Sequence, residues 1–126
     1  TETPARFAAD TAFSMAGIDR SDVSAVQLYD SFSVTVMMAL EEYGFCARGH
    51  VGDFGREGRL RVGGDLPLNT SGGLISETGM PGLQLVIEGV RQLRGTAANQ
   101  VKNAKNIVVS NQGGAMHTHA TLILGA

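Results

Sequence analysis

The chain has 126 residues, 43% of them hydrophobic and 17% charged, with a net charge of −2. One domain of this length buries a core without metal or disulfide staples, and so weak a charge gives nucleic acid or an anionic membrane no electrostatic hold. A single cysteine, Cys46, leaves no internal disulfide and no multi-cysteine metal site, and no apolar run approaches the roughly 20 residues of a membrane span.

Thr3-Pro4 reads as an N-cap followed by proline at the first helical position. Phe7, Ala8, Thr11, Ala12 and Met15 then recur at helical spacing until Gly17, which predicts a helix over 4–16. Residues 23–29 are rich in valine and leucine and bounded by polar residues, so they predict a buried strand. Ser31 opens a second helix with little polar face before Glu41-Glu42, to be mostly buried and stopped by Gly44. Residues 46–73 hold eight glycines in 28 positions without a sustained period and predict a long ordered loop. Pro81 can begin a third helix whose Leu83, Val86, Ile87, Val90 and Leu93 form one apolar stripe ending at Gly95. Two strands, 106–110 and 118–124, close the chain, with a turn over Asn111-Gln112-Gly113-Gly114. Three helices on three strands make a thin layer that further strands would complete, and a start at Thr1 without an initiator methionine suggests a segment of a longer chain.

Several pieces stand in one order along this layout: Tyr29-Asp30-Ser31-Phe32, Met38-Ala39-Leu40 leading into Gly44-Phe45-Cys46, and Gly64-Asp65-Leu66-Pro67-Leu68-Asn69. The Gly72-Gly73 turn, Gln92-Leu93-Arg94-Gly95 and Gly113-Gly114 follow. In that order they resemble the C-terminal half of the thiolase superfamily, most of all the lipid-transfer-protein or sterol-carrier-protein-x type and its steroid-degrading relatives. The resemblance implies an α/β fold, half of a duplicated architecture with a mixed sheet flanked by helices. It also implies that the nucleophilic cysteine and most coenzyme A contacts lie in the other half. The full-length protein is then expected to be a homodimer in the cytoplasm, and the segment alone an inactive one that exposes its sheet edge and associates with another chain.

Three chemical positions of the family depart from its pattern. Tyr29-Asp30-Ser31-Phe32 stands where the family has Asn-Glu-Ala-Phe or His-Asp-Cys-Phe, and Gly79-Met80-Pro81 where it has Gly-His-Pro. Asn111 replaces the second cysteine, in Asn111-Gln112-Gly113. Neither Met80 nor Asn111 can titrate, so an ordinary thiolase condensation loses its base. The backbone N–H of Gly113 corresponds to a family oxyanion-hole donor, and Tyr29 offers a phenol that can move a proton. This combination suits retro-aldol cleavage of a beta-hydroxyacyl coenzyme A thioester, in which the thioester is substrate and no separate cofactor is needed. Aldolases of this type work with a small partner carrying an OB-fold domain. A divergent acetyl-CoA acyltransferase and a non-catalytic, acyl-CoA-binding or scaffold subunit are the alternative readings.

The residues themselves leave choices open. Tyr29 is either the proton-transfer group or a half-buried strand aromatic, and Asp30 either caps the following helix or orients Tyr29 or a substrate hydroxyl. Met80 and Asn111 are candidate substrate contacts, against plain packing for Met80. His117 and His119 flank Thr118 and share a strand face by alternation, as an acid or base beside the glycine turn or as ordinary strand residues; no metal site is assigned to them. Cys46 reads as a packing residue and His50 as a loop or interface residue. Asn69, Ser71 and Ser76 read as bonding their loop to itself.

Overall fold

The computed structural model describes residues 3–77 and 83–126. Helix α1 spans Pro4–Ala16, with Thr3 accepting a hydrogen bond from the Ala5 amide and left-handed Gly17 (φ 66°) closing its end. Strand β1 is Ala25–Leu28, helix α2 Ser33–Glu42, and helix α3 Val51–Arg56. Helices α4 (Gly73–Ser76) and α5 (Gln84–Arg94) follow, then strands β2 (Asn106–Gly113) and β3 (Thr118–Gly125). The sheet runs β1-β2-β3, parallel in the first pair and antiparallel in the second, so the expected mixed sheet flanked by helices is present.

All four residues of β1 are buried, because helices cover both faces of the sheet. Period-two alternation then feeds two cores. Val26 and Leu28 pack with Val108, Phe13, Leu40 and Tyr43 on one face; Ala25 packs with Ile107, Val109, Leu74 and Leu85 on the other. Tyr43 is fully buried at the end of α2, and its hydroxyl pairs with Thr121 Oγ1 at 2.6 Å, tying α2 to β3.

Three expectations change. The stretch 46–73 is not all loop: α3 forms inside it, short and glycine-containing, because Val51 and Phe54 reach the core and the Glu41 carboxylate accepts the Gly49 and Val51 amides. Helix α2 begins at Ser33 and is buried on one side only; Val36, Ala39 and Leu40 face inward while Val34 and Met37 are exposed. The start of the third expected helix at Pro81 lies outside the described residues. Helix α5 buries Leu85, Glu88, Gly89 and Gln92; of the anticipated stripe, Val86 and Leu93 pack partly buried against the core, while Leu83 and Ile87 are exposed. The reason is at Gly89, where a Cβ would stand 3.0 Å from Leu124 Cδ1 and 3.2 Å from Val109 Cγ2. The helix lies against the sheet through its glycine, which rotates two polar side chains inward.

Gly89→Val therefore forces α5 off the sheet. Overpacking of this kind costs about 2 kcal/mol of unfolding free energy, to be read from urea denaturation of the protein; unchanged stability would mean that α5 shifts without resistance.

Candidate functional site

Strands β1 and β2 run in parallel, so their carboxyl ends meet at one edge of the sheet, where open α/β sheets commonly take ligands. Leu28 is in register with Ser110, and the next amide, that of Tyr29, donates to the Ser110 carbonyl at 3.1 Å. Tyr29 thus stands just beyond β1, its half-buried ring against the cluster that contains Leu74, Leu85 and Val109. Beside it β2 continues through Asn111, Gln112 and Gly113, and Gln112 Nε2 donates to Ser31 Oγ at 3.2 Å. Tyr29, Asn111 and Gly113 therefore share the rim.

The turn expected over residues 111–114 lies further on. Asn111, Gln112 and Gly113 are strand residues opposite Ala120, His119 and Thr118, and the chain reverses through Gly114, Ala115 and Met116, all at positive φ (55°, 50° and 73°). A Cβ at Gly113 would stand 2.8 Å from Thr118 Oγ1, so the close approach of the two strands at this point requires glycine. Left-handed backbone at an alanine and a methionine is strained, and it folds Met116 inward until the residue is 7% exposed. Under this tip lies a cleft of about 420 Å3 lined by Thr3, Pro4, Thr35, Met38, Ala115, Met116 and His117.

Asp30 does not cap the helix that follows it. Its buried carboxylate accepts the Leu74 amide at 2.8 Å and the Ile75 amide at 3.4 Å, so it caps α4, more than forty residues along the chain. Gly73 (φ +71°) permits this, since a Cβ there would overlap the carboxylate. Helix α2, by contrast, starts without a side-chain cap. Met80 lies outside the described residues.

The two histidines part company. His117 is still in the turn, exposed, and its Nδ1–H donates to the Gly114 carbonyl, which leaves Nε2 as the free nitrogen. His119 enters β3 and goes under α1 beside Tyr43 (ring centroids 6.0 Å apart), both ring nitrogens buried and without hydrogen-bond partners. The expectation of one shared face fails because the strand, and with it the alternation, begins at Thr118, while His117 still belongs to the turn. Among the described residues no three His, Cys, Asp or Glu side chains gather as a metal site. Cys46 packs against the core around α1 and α2, where burial, and then the nearby Glu41 carboxylate, push its thiol above the ordinary value; this suits packing, not attack.

The sequence reading missed Tyr43 and the polar contacts of Asn69. Asn69 does not bond its loop to itself: its side chain accepts the Leu28 amide at 2.7 Å and donates to the Leu28 carbonyl at 2.9 Å. No period or motif marks Tyr43, and the motif that ends at Asn69 does not show which partner its side chain takes, although asparagine tolerates left-handed backbone.

The sequence matches the thiolase C-terminal domain-like family over residues 1–126. This chain belongs to that family. The thiolase-like domain is 42% identical over 114 residues to a steroid side-chain-cleaving aldolase of Thermomonospora curvata, covering 90% of the chain and 29% of the relative. It is 41% identical over 98 residues to a 17-hydroxy-3-oxo-4-pregnene-20-carboxyl-CoA lyase of Mycobacterium tuberculosis, covering 78% and 25%. A solved structure named Ltp2-ChsH2(DUF35) aldolase superposes with a TM-score of 0.93 at 40% identity, over 100% of this chain and 33% of that one. The thiolase-like domain spans a quarter to a third of the length of these proteins.

Burial holds the His119 imidazole below the ordinary histidine value, so the unfolded chain takes up this proton more readily than the folded one. The stabilisation is complete above about pH 6.5 and is lost as pH falls through the folded-state value. The thermal midpoint should fall more steeply from pH 7 to pH 5.5 in the wild type than in His119→Phe; parallel slopes would take His119 out of the acid response.

Proposed function

We propose that the protein carrying this domain cleaves a carbon–carbon bond of a beta-hydroxyacyl coenzyme A thioester by a retro-aldol reaction. The observation that carries the reading is Tyr29, a phenol fixed at the carboxyl ends of β1 and β2, next to a strand whose Asn111 offers neither thiol nor base. The similarity to proteins named as an aldolase and a lyase supports the same chemistry.

A base removes the proton of the beta-hydroxyl, the bond between the alpha and beta carbons breaks, and the beta carbon leaves as a carbonyl. The bonding pair passes into the thioester enolate, which takes a proton at the alpha carbon to complete the reaction. Tyr29 is assigned the proton transfer, and the Gly113 N–H the oxyanion of the enolate. Asn111 lies on the rim as a substrate contact, Met80 is a contact by sequence, and His117 and His119 are second candidates for acid or base. Of the two, His117, exposed beside Gly114, has the more accessible ring. Asp30 acts through the segment it caps, not by touching substrate.

The relative's 17-hydroxy-20-carboxyl-CoA compound has its hydroxyl on the carbon beta to the thioester carbonyl, as this reaction requires. A steroid or similarly bulky acyl group would rest on the cleft under the hairpin tip, where Met38 and Met116 offer adaptable apolar surface. We assign the working form to the cytoplasm, as a homodimer with a small OB-fold protein partner. The similarity to a solved structure whose name joins an aldolase to a DUF35 protein supports the partner.

Tyr29→Phe in the full-length protein should lower turnover of a beta-hydroxyacyl-CoA at least about 100-fold, the low end of general acid–base contributions, with little change in thermal midpoint. Unchanged turnover, followed by release of the carbonyl product, would remove Tyr29 from the mechanism.

A further inference from the structure

We propose that Thr70 is a positioning residue for Tyr29, acting through a strap formed by residues 69–75. The proposal rests on the reading of Tyr29 as the proton-transfer group. Tyr29 stands between two residues that the same strap holds. On one side, the Asn69 carboxamide occupies both the N–H (2.7 Å) and the carbonyl (2.9 Å) of Leu28; on the other, the Leu74 and Ile75 amides hold the Asp30 carboxylate. The Leu28 backbone on one side of the phenol and the Asp30 side chain on the other are therefore set by where the strap lies.

Thr70 decides where it lies. Its Oγ1 accepts from Gln27 Nε2 and from Gln92 Nε2, each at 2.9 Å, and stands 2.5 Å from Glu88 Oε1. Both amide nitrogens can only donate, so the one hydroxyl proton goes to Glu88. Every bonding site of the hydroxyl is then in use. The Thr70 carbonyl in turn accepts from Asn99 Nδ2 at 2.8 Å. Thr70, Glu88, Gln92 and Gln27 are all 4% exposed or less, so water cannot replace a lost partner. Asn69, next in the chain, is held at φ 47°, a strained conformation for a non-glycine residue that the bonds to Leu28 maintain. Through Gln27 the same hydroxyl reaches β1 itself, two residues before Tyr29. The network thus fixes the strap to α5 and to the strand that presents the phenol.

The test compares Thr70→Val, which keeps shape and removes the hydroxyl, with Thr70→Ser, which keeps the hydroxyl. Both are measured in the full-length protein with a beta-hydroxyacyl-CoA, well below the melting temperature. Misplacement of the phenol should lower kcat at least about 10-fold in Thr70→Val, in line with the sensitivity of catalysis to sub-ångström placement, while KM changes less than about 2-fold. Thr70→Ser should recover most of the turnover. Should Thr70→Val not fold, Asn69→Gly keeps the left-handed backbone without strain, removes both bonds to Leu28, and should show the same loss of kcat at constant KM. Tyr29→Phe is run in parallel. Slow Tyr29→Phe with wild-type kcat in Thr70→Val, or in Asn69→Gly, overturns the positioning role alone. Wild-type turnover in Tyr29→Phe overturns the reading of Tyr29 and the proposal with it.

Discussion

The two hydrogen bonds between the Asn69 carboxamide and the Leu28 peptide are the constraint on which the rest of this structure depends. Strand β1 has β2 on one edge; on its other edge a short ladder forms, in which the Val26 amide donates to Pro67 and the Asn69 amide donates to Val26. At Asn69 the backbone turns left-handed and leaves, and its side chain supplies the last two rungs where another strand residue would have done so. A buried strand with an unsatisfied edge is costly, since each lost partner in a dry interior exacts about 1–3 kcal/mol. The asparagine removes that cost and at once directs the chain toward Gly73, where α4 meets Asp30.

From that point the polar interior makes sense as one unit. Glu88 and Gln92 would be expected on the solvent face of a helix, yet both are buried, and their partners come from the strap and the loop after α5, with Gln27 of β1 joined through Thr70. Such a network fixes geometry only while it is nearly complete. It is complete at Thr70 and incomplete at one atom, Gln27 Oε1, which is buried without a partner. The unpaired oxygen follows from the hydrogen order: Gln27 turns its amino group to Thr70 because Thr70 has already given its proton to Glu88. Stability is reduced at this atom so that the threonine can be saturated.

Much of the fold could be read from the sequence, and the residues that could not be read share a cause. Helix α1 was legible to the residue because Thr3-Pro4 and Gly17 punctuate it, and the closing strands stood out by their β-branched runs. Helix α3 was hidden because its six residues include two glycines and its stability comes from Val51, Phe54 and a cap donated by α2. The buried face of α5 was misjudged because hydrophobic periodicity treats glutamate and glutamine as outward residues and cannot see that Gly89 brings the helix onto the sheet. At the site, Tyr29 was legible as the residue that ends a strand, because polar residues follow the apolar run of β1. The partner of Asp30 was invisible, since nothing local indicates that a carboxylate will cap a helix of four residues so far along the chain. Local signals survive in the sequence, and contacts between distant segments do not.

The capping of α4 by Asp30 also gives the rim a direction. Two helices begin beside Tyr29, and each start has a partial positive charge from its unpaired amides. At α4 those amides are occupied by a carboxylate; at α2 no side chain answers them. A polar group laid across the end of β1 therefore meets a favourable field on the α2 side and the buried acid on the other. The rim is thus electrically uneven, with partial positive charge left open at the start of α2 and neutralised at the start of α4.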